Sequence, residues 1–522
     1  MHILYRRVVT NVGSIVVAYV VPILLFMLTT PYILRRLGAN QNGVWLLSTS
    51  LVGYFAIYRT GVAEAITKYL SDGHANGGNR DLIPLFRTSL SLLLSLSIGQ
   101  FFLVHLIVLP WVPILFQNGG GNLALLRSAI SLTSIGLIPS VMTIPFSAVP
   151  ASLQRYGVSS VVSLVSSVAT TALTCLLLYL GHGLLAIIIG NIVITFAVLL
   201  VYIVIGKMML PELSFLPGWN CDSLRCLGRF SGFSTITCLL SSVTSLLDRT
   251  VVGVSLGPAA VTYYSIPAGI ARRPWDLCSA VAQMLVPMTT ESICSGPTGR
   301  FERLCVVSNR VLSACVLAIS VGIVYSGPAF LNLWLGVGFA ERAGTLFRAQ
   351  AMILALIATC APSYYVLNGL GRPEVNTRAC ALGGLLMTGL LVVLVPLVGV
   401  LGAALSFAGY LIGLSLAPVR LLREYFTQHP WRTAIKIWGV PIGIWLPMAL
   451  APTITGRMWP RNPSILSVCT LAVVPMSVFL FACVVGELLT KDPVLTHLFL
   501  RLLNRGPHRR LRNSTEALCA SE

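Results

Sequence analysis

Fourteen apolar stretches, each long enough to cross a bilayer, constrain what this chain can fold into. They run at about 10–32, 44–69, 88–114, 129–149, 159–180, 184–206, 233–256, 260–288, 311–334, 349–369, 379–397, 400–420, 434–453 and 464–486. A spanning helix needs about 20 apolar residues, and in lipid only helices and closed barrels satisfy every backbone N–H and C=O. The stretches lack the period-2 alternation of barrel strands, so they read as helices. Only 10% of the residues are charged, against about 25% in a soluble chain. The expected fold class is an all-α polytopic membrane protein with about 14 transmembrane helices.

A net charge of +19 invites a nucleic-acid reading, which the distribution of charge removes. With the N-terminus in the cytoplasm, the even-numbered connections and the two ends hold 24 of the 35 Lys and Arg. The opposite side holds seven (Arg35, Arg36, Arg127, Arg342, Arg348, Arg457, Arg461), and four fall within spans (Arg59, Arg249, Arg272, Arg273). That asymmetry is the positive-inside rule. It predicts a multi-pass protein of the cell inner (cytoplasmic) membrane with both termini cytoplasmic. Residues 1–32 imitate a signal peptide, but the apolar run is too long and Pro31-Tyr32-Ile33 is no cleavage site. The 13 cysteines are scattered and read as small packing residues. Cys221 and Cys226 share a loop without a second pair, so no metal and no cofactor is expected.

An internal similarity organises the spans. Leu37-Gly38 precedes Trp45 by the same gap that separates Leu256-Gly257 from Tyr264, an offset of 219. Leu153-Gln154-Arg155 recurs as Leu370-Gly371-Arg372, and Gly181-His182-Gly183 as Gly399-Val400-Leu401-Gly402, at offsets of 217 to 219. Each match is weak, but three in order at one offset point to a repeat of six helices. An even number preserves orientation, so the repeat axis runs along the membrane normal. The expected organisation is an N-terminal lobe (1–206), a cytoplasmic linker (207–232) and a C-terminal lobe (233–425). Two extra helices (426–489) and a basic tail (490–522) follow. A central cavity lies between the lobes.

Charges within spans mark function by default, because arginine at a membrane-helix centre costs about 2.5–3.5 kcal/mol or more. The stretch "YYSIPAGIARRPWDLCSAVAQML" carries Arg272, Arg273 and Asp276 at its middle, and the repeat-equivalent second span carries Arg59. Facing lobes bring these cations to one mid-membrane site, where guanidinium forks suit phosphate oxygens. The bland alternative is mutual neutralisation: Arg272 and Asp276 are four apart on one helix face. Asp248 and Arg249 in the seventh span are read as cavity-lining or structural, structural being favoured for Asp248. Glu64 with Lys68 reads as a rim pair. The many hydroxyls of the seventh span, Ser231 to Ser245, read mainly as packing residues. Tyr58, Tyr263, Tyr264 and Trp275 could stack on sugars, although Trp45, Tyr263 and Tyr264 read better as interfacial aromatics.

No Walker lysine motif or HExxH occurs, and no enzyme is expected. The tail segment "VLTHLFLRLLNR" reads as an amphipathic helix on the inner leaflet. "RRLGANQNGVW", "LLDRTVVGVSLGPAAVTYYSI" and "LNGLGRPEVNTRACALGG" resemble polysaccharide-repeat-unit flippases of the Wzx type. These flippases sit in the superfamily that also holds multidrug extruders and the lipid II flippase. The resemblance covers roughly residues 8–425. It implies a flippase moving an undecaprenyl-diphosphate-linked oligosaccharide to the periplasmic leaflet through a cationic cavity. It also implies a polysaccharide polymerase and other assembly proteins as partners, and no nucleic acid. Two rivals are carried forward: a cation-coupled multidrug antiporter of the same fold, and a non-transporting scaffold of a glycan-assembly complex. Reporter fusions after Lys207, Arg303 and Arg423 are expected to read cytoplasmic, and fusions near Gly120, Gly338 and Trp459 periplasmic. A cytoplasmic reading at Trp459 would remove the last two helices from this topology.

Overall fold

A computed structural model describes residues 2–56, 62–63, 65–67, 69–71, 79–116, 122–153, 155–211, 216–225, 227, 246–294, 298–426, 430–454 and 463–489. Among the described residues every regular element is helical and none is a strand. Among these residues eleven helices are long and apolar enough to cross a membrane. The chain is therefore an all-α polytopic membrane protein. Eleven differs from the fourteen expected stretches for local reasons. The first stretch and the start of the second form one helical run, His2–Gly53, broken only in backbone angle at Gly38. The seventh is described from 246 onward, and the eighth is divided into Pro258–Ala271, Arg273–Ala282 and Leu285–Cys294.

The breaks follow from residue chemistry. Gly38 (φ 73°) and Gly257 (φ 86°) take left-handed backbone, which only glycine adopts freely. Gly181 and Gly399 do the same. Both pairs are ones that the sequence offset had matched. Just beyond Gly38, a Cβ added to Gly43 would sit 1.7 Å from the Pro258 carbonyl oxygen, so no side chain fits there. Nearby, Thr262 Oγ1 donates to the Ala39 carbonyl at 2.7 Å. A shift of 219 carries Ala39 to Pro258 and Gly43 to Thr262, so the two contacts are images of each other.

By contact the chain divides into two compact units, Met1–Ser265 with Leu391–Ala403, and Ile266–Leu390 with Ala404–Glu522. In the first, the expected linker is tied down. Arg87 Nε donates to the Leu216 carbonyl (3.3 Å), Ser91 Oγ to the Gly218 carbonyl (3.0 Å), and Asn220 N–H to Thr88 Oγ1 (3.1 Å). The second and sixth connections therefore share one side. In the second unit Arg372 bonds Glu374 at 2.8 Å and Glu424 at 3.0 Å, which puts the tenth and twelfth connections on one side too.

Two arginines are buried in the second unit. Arg348, assigned from sequence to the side opposite the cytoplasm, instead lies buried within the helix Val337–Ala358. Its Nε donates to the Val324 carbonyl at 3.1 Å and its Nη1 to the Pro452 carbonyl at 3.3 Å. Pro328, four residues after Val324, has no N–H to offer that carbonyl. Pro452 lies in the last turn of Val440–Ile454, where carbonyls lack helical donors. One guanidinium thus answers two carbonyls that the helices leave open.

Arg310 pairs with Glu487 at 3.3 Å, with side chains only 3% and 1% exposed, and also donates to the Lys436 carbonyl. Breaking such a buried pair costs about 3–5 kcal/mol, whereas replacing both charges by apolar groups is often neutral. Arg310→Ala is expected to lower membrane abundance and the Tm in detergent, and Arg310→Met/Glu487→Leu to recover most of the loss. Wild-type Tm for Arg310→Ala would mean the pair does not hold these helices.

Candidate functional site

The turn at Gly257 sets residues 246–256 beside Pro258–Ala271, and this pairing places Asp248. Its side chain is buried (5% exposed), and each carboxylate oxygen accepts a hydrogen bond. Tyr264 Oη donates to Oδ2 at 2.7 Å and the Arg249 backbone N–H to Oδ1 at 2.7 Å. A buried carboxylate requires such donors, and the Tyr264 bond clasps one helix to the next. The structural reading of Asp248 accounts for this geometry. Tyr264 corrects an expectation: it is buried, not interfacial, because its phenol is needed inside. On the neighbouring turn Tyr54 Oη and Thr250 Oγ1 share a hydrogen bond of 3.0 Å. Arg249 is half-buried.

The second cluster sits where the eighth stretch breaks. Pro274 lacks an N–H and its ring crowds the carbonyl four residues earlier, so the helical ladder is interrupted here although Arg272 keeps helical backbone angles (φ −76°, ψ −22°). A new helix begins at Arg273, with Pro274 and Asp276 in its first turn. Proline is preorganised there, and the carboxylate favours the positive helix end. Asp276 is shared: Arg272 Nε lies 3.5 Å from Oδ1, and Arg273 Nη1 lies 4.0 Å from Oδ2. The Arg272 guanidinium also lies 5.0 Å from the centre of the Trp275 ring, whose neighbour is Tyr410 at 6.3 Å.

The three charged side chains are 44–49% exposed. At that exposure an ion pair contributes at most about 1 kcal/mol, and the cation–π contact about 0.5–1 kcal/mol. Two arginines on one aspartate leave a net positive charge. Arg272 is held twice, by carboxylate and ring. Arg273 stands at the outer limit of an ion pair, beyond hydrogen-bond reach. Lipid does not tolerate half-exposed guanidiniums, so this face suits water or an anion.

Arg59, Tyr58, Glu64, Lys68, Gln154, the hydroxyls from Ser231 to Ser245 and the tail from residue 490 lie outside the described residues. Arg272 and Asp276 meet as their four-residue spacing predicted, and Arg273 joins them from three residues away. Sequence reasoning missed a small hydroxyl-lined cavity in the first unit, because its residues come from three separate helices and none is charged.

A family model described as polysaccharide biosynthesis protein matches residues 88–343. The "Putative O-antigen transporter" of Shigella flexneri is 22% identical over 394 residues, spanning 75% of this chain and 91% of that relative. Among solved structures, lipid II flippase MurJ in an inward closed conformation aligns with a TM-score of 0.69 at 11% identity. That alignment covers 93% of this chain and 99% of the other. An inward-facing multidrug resistance MATE family transporter of the MOP superfamily aligns at 0.59 and 14% identity, covering 76% and 94%. The chain resembles the Wzx-type flippases; the family match and the relative support the resemblance, and the solved structures share its fold.

Arg272→Ala removes the closer partner of Asp276 and the cation on Trp275. It is expected to lower the Tm in detergent by a few degrees, while Arg273→Ala leaves the Tm near wild type. Equal shifts for the two variants would contradict the unequal anchoring of the two guanidiniums.

Proposed function

We propose that this protein is a flippase that carries a polyprenyl-diphosphate-linked oligosaccharide from the cytoplasmic to the periplasmic leaflet for surface polysaccharide assembly. It works by alternating access between lobes 1–206 and 233–425, in the inner membrane with both termini cytoplasmic. The observation that carries this reading is the excess positive charge of Arg272 and Arg273 over Asp276, at a break in an otherwise apolar span. An isolated anion costs tens of kcal/mol to move into hydrocarbon by Born estimates. Guanidinium forks in a watered cavity replace the hydration of a diphosphate, while the prenyl tail stays in lipid. Arg59 adds a further cation from the equivalent span. The exchanged contacts of Ala39, Gly43, Pro258 and Thr262 support a parallel repeat with its axis between these turns.

The antiporter reading wants intramembrane carboxylates open to ion exchange. Among the described residues Asp248 is bonded on both oxygens, Glu487 faces Arg310, and the half-exposed Asp276 is shared by Arg272 and Arg273, which suits holding charges and helices in place. A scaffold gives no reason for two half-exposed arginines inside a span. The polymerase and other assembly proteins are the natural partners of a flippase, and the protein itself makes or breaks no bond of its cargo.

Arg59→Ala and Arg273→Ala are expected to abolish surface polysaccharide at near-normal protein level. Lysine substitutes poorly at either place, because it keeps the charge without the two-pronged geometry. Full export by the Arg59→Ala/Arg273→Ala double variant would remove these cations from the transport path.

A further inference from the structure

The short helix Arg273–Ala282 has three faces. On one, Pro274, Cys278 and Ala282 are buried. An α-helix turns about 100° per residue, so Asp276, Ser279 and Gln283 all fall within about 40° of Arg272. The Asp276 N–H donates to the Arg272 carbonyl at 3.1 Å and the Gln283 N–H to the Ser279 carbonyl at 3.0 Å, which holds this register from end to end. The exposed Leu277, Val281 and Met284 lie more than about 100° round from Arg272 and suit lipid. Arg272, Asp276 and Gln283 are exposed on the remaining face. Charges and an amide inside a span need water or cargo there, because lipid offers them no partner.

Gln283 stands at a second break made by proline. Pro287, four residues on, has no N–H for the Gln283 carbonyl, and the Val286 N–H takes it instead at 3.2 Å. The chain continues as Leu285–Cys294, which packs closely on Ala361–Gly369. A Cβ on Gly369 would sit 2.7 Å from the Val286 carbonyl oxygen, and Thr290 Oγ1 donates to the Gly369 carbonyl at 3.1 Å. This close approach brings Tyr365, one turn before Gly369, beside Gln283, whose Nε2 donates to Tyr365 Oη at 3.4 Å. The bond is longer than the usual range of about 2.7–3.2 Å. Among the described residues no other hydrogen bond engages either side chain. The amide therefore keeps its carbonyl oxygen and second N–H, and the phenol keeps its own proton. Groups that both donate and accept match sugar hydroxyls, and neither carries a charge for a phosphate. Along the helix Gln283 lies about 10 Å beyond Asp276.

We propose that Gln283 and Tyr365 form a glycan subsite, binding hydroxyls of the first sugars while Arg272 and Arg273 hold the diphosphate. The subsite rests on the flippase reading above and adds to it a place where the sugar itself is recognised.

The test measures equilibrium binding of radiolabelled probes to the purified full chain in detergent. The probes are undecaprenyl diphosphate and the same lipid diphosphate bearing N-acetylglucosamine, galactose or glucose. At least one sugar-bearing probe is expected to bind about tenfold more tightly than the bare lipid, the effect of one or two net hydrogen bonds. Gln283→Leu and Tyr365→Phe should each remove most of that advantage. Tyr365→Phe keeps the ring, which guards against misfolding of the Gln283 variant. Arg273→Ala should weaken the bare and sugar-bearing probes by the same factor, because it acts on the diphosphate. Equal affinity of the wild type for the bare lipid and every sugar-bearing probe overturns the subsite and leaves the flippase reading in place. An advantage that survives both variants, whatever their Tm, marks a packing pair between helices and overturns the subsite as well. Failure of the wild type to bind any probe, the bare lipid included, removes the flippase reading and the subsite with it.

Discussion

A bilayer core offers no hydrogen-bond partner, so every carbonyl freed by a proline and every charge within a span must be answered by the protein itself. Much of this structure follows from that requirement. Arg348 answers the Val324 carbonyl left open by Pro328 and the terminal Pro452 carbonyl. Arg310 and Glu487 answer each other, and Tyr264 with the Arg249 N–H answers Asp248. Arg272 and Arg273 break the pattern, since one half-exposed carboxylate serves both. A charge closed off by its neighbours holds helices; a charge left partly open can meet water or an anion.

The same requirement explains why helix breaks and candidate sites coincide. A left-handed glycine or a proline interrupts the backbone ladder, and the interruption lets side chains or a second backbone approach. Gly43 lies against the Pro258 carbonyl because it has no Cβ, and Thr262 reaches the Ala39 carbonyl across the same junction. At Pro274 the interruption instead sets Arg273 and Trp275 in the first turn of one short helix, with Arg272 just before it.

Sequence made the local features legible. Apolar length gave helices wherever those residues are described, the Leu-Gly pairs marked left-handed turns, and the four-residue spacing of Arg272 and Asp276 gave their contact. What sequence could not supply was long-range pairing. Arg310 and Glu487 are 177 residues apart, and no periodicity connects them. Pro328 announces that a carbonyl is freed, but not that Arg348 will reach it. Tyr264 read as interfacial because an aromatic at a helix end usually is; a buried carboxylate sixteen residues earlier overrode that preference. The small cavity among His2–Gly53, Leu123–Ser152 and Leu184–Met209 has no charge or motif to signal it, only three helices that pack with a gap.

The central claim is that guanidinium groups within the membrane carry the cargo by its diphosphate. The most direct measurement is translocation in proteoliposomes of two lipids bearing the same oligosaccharide, one on a polyprenyl diphosphate and one on an uncharged polyprenyl linker, read by lectin access from outside. This account predicts protein-dependent crossing of the diphosphate lipid and little above background for the uncharged one. Equal crossing of both, or of neither, would contradict it.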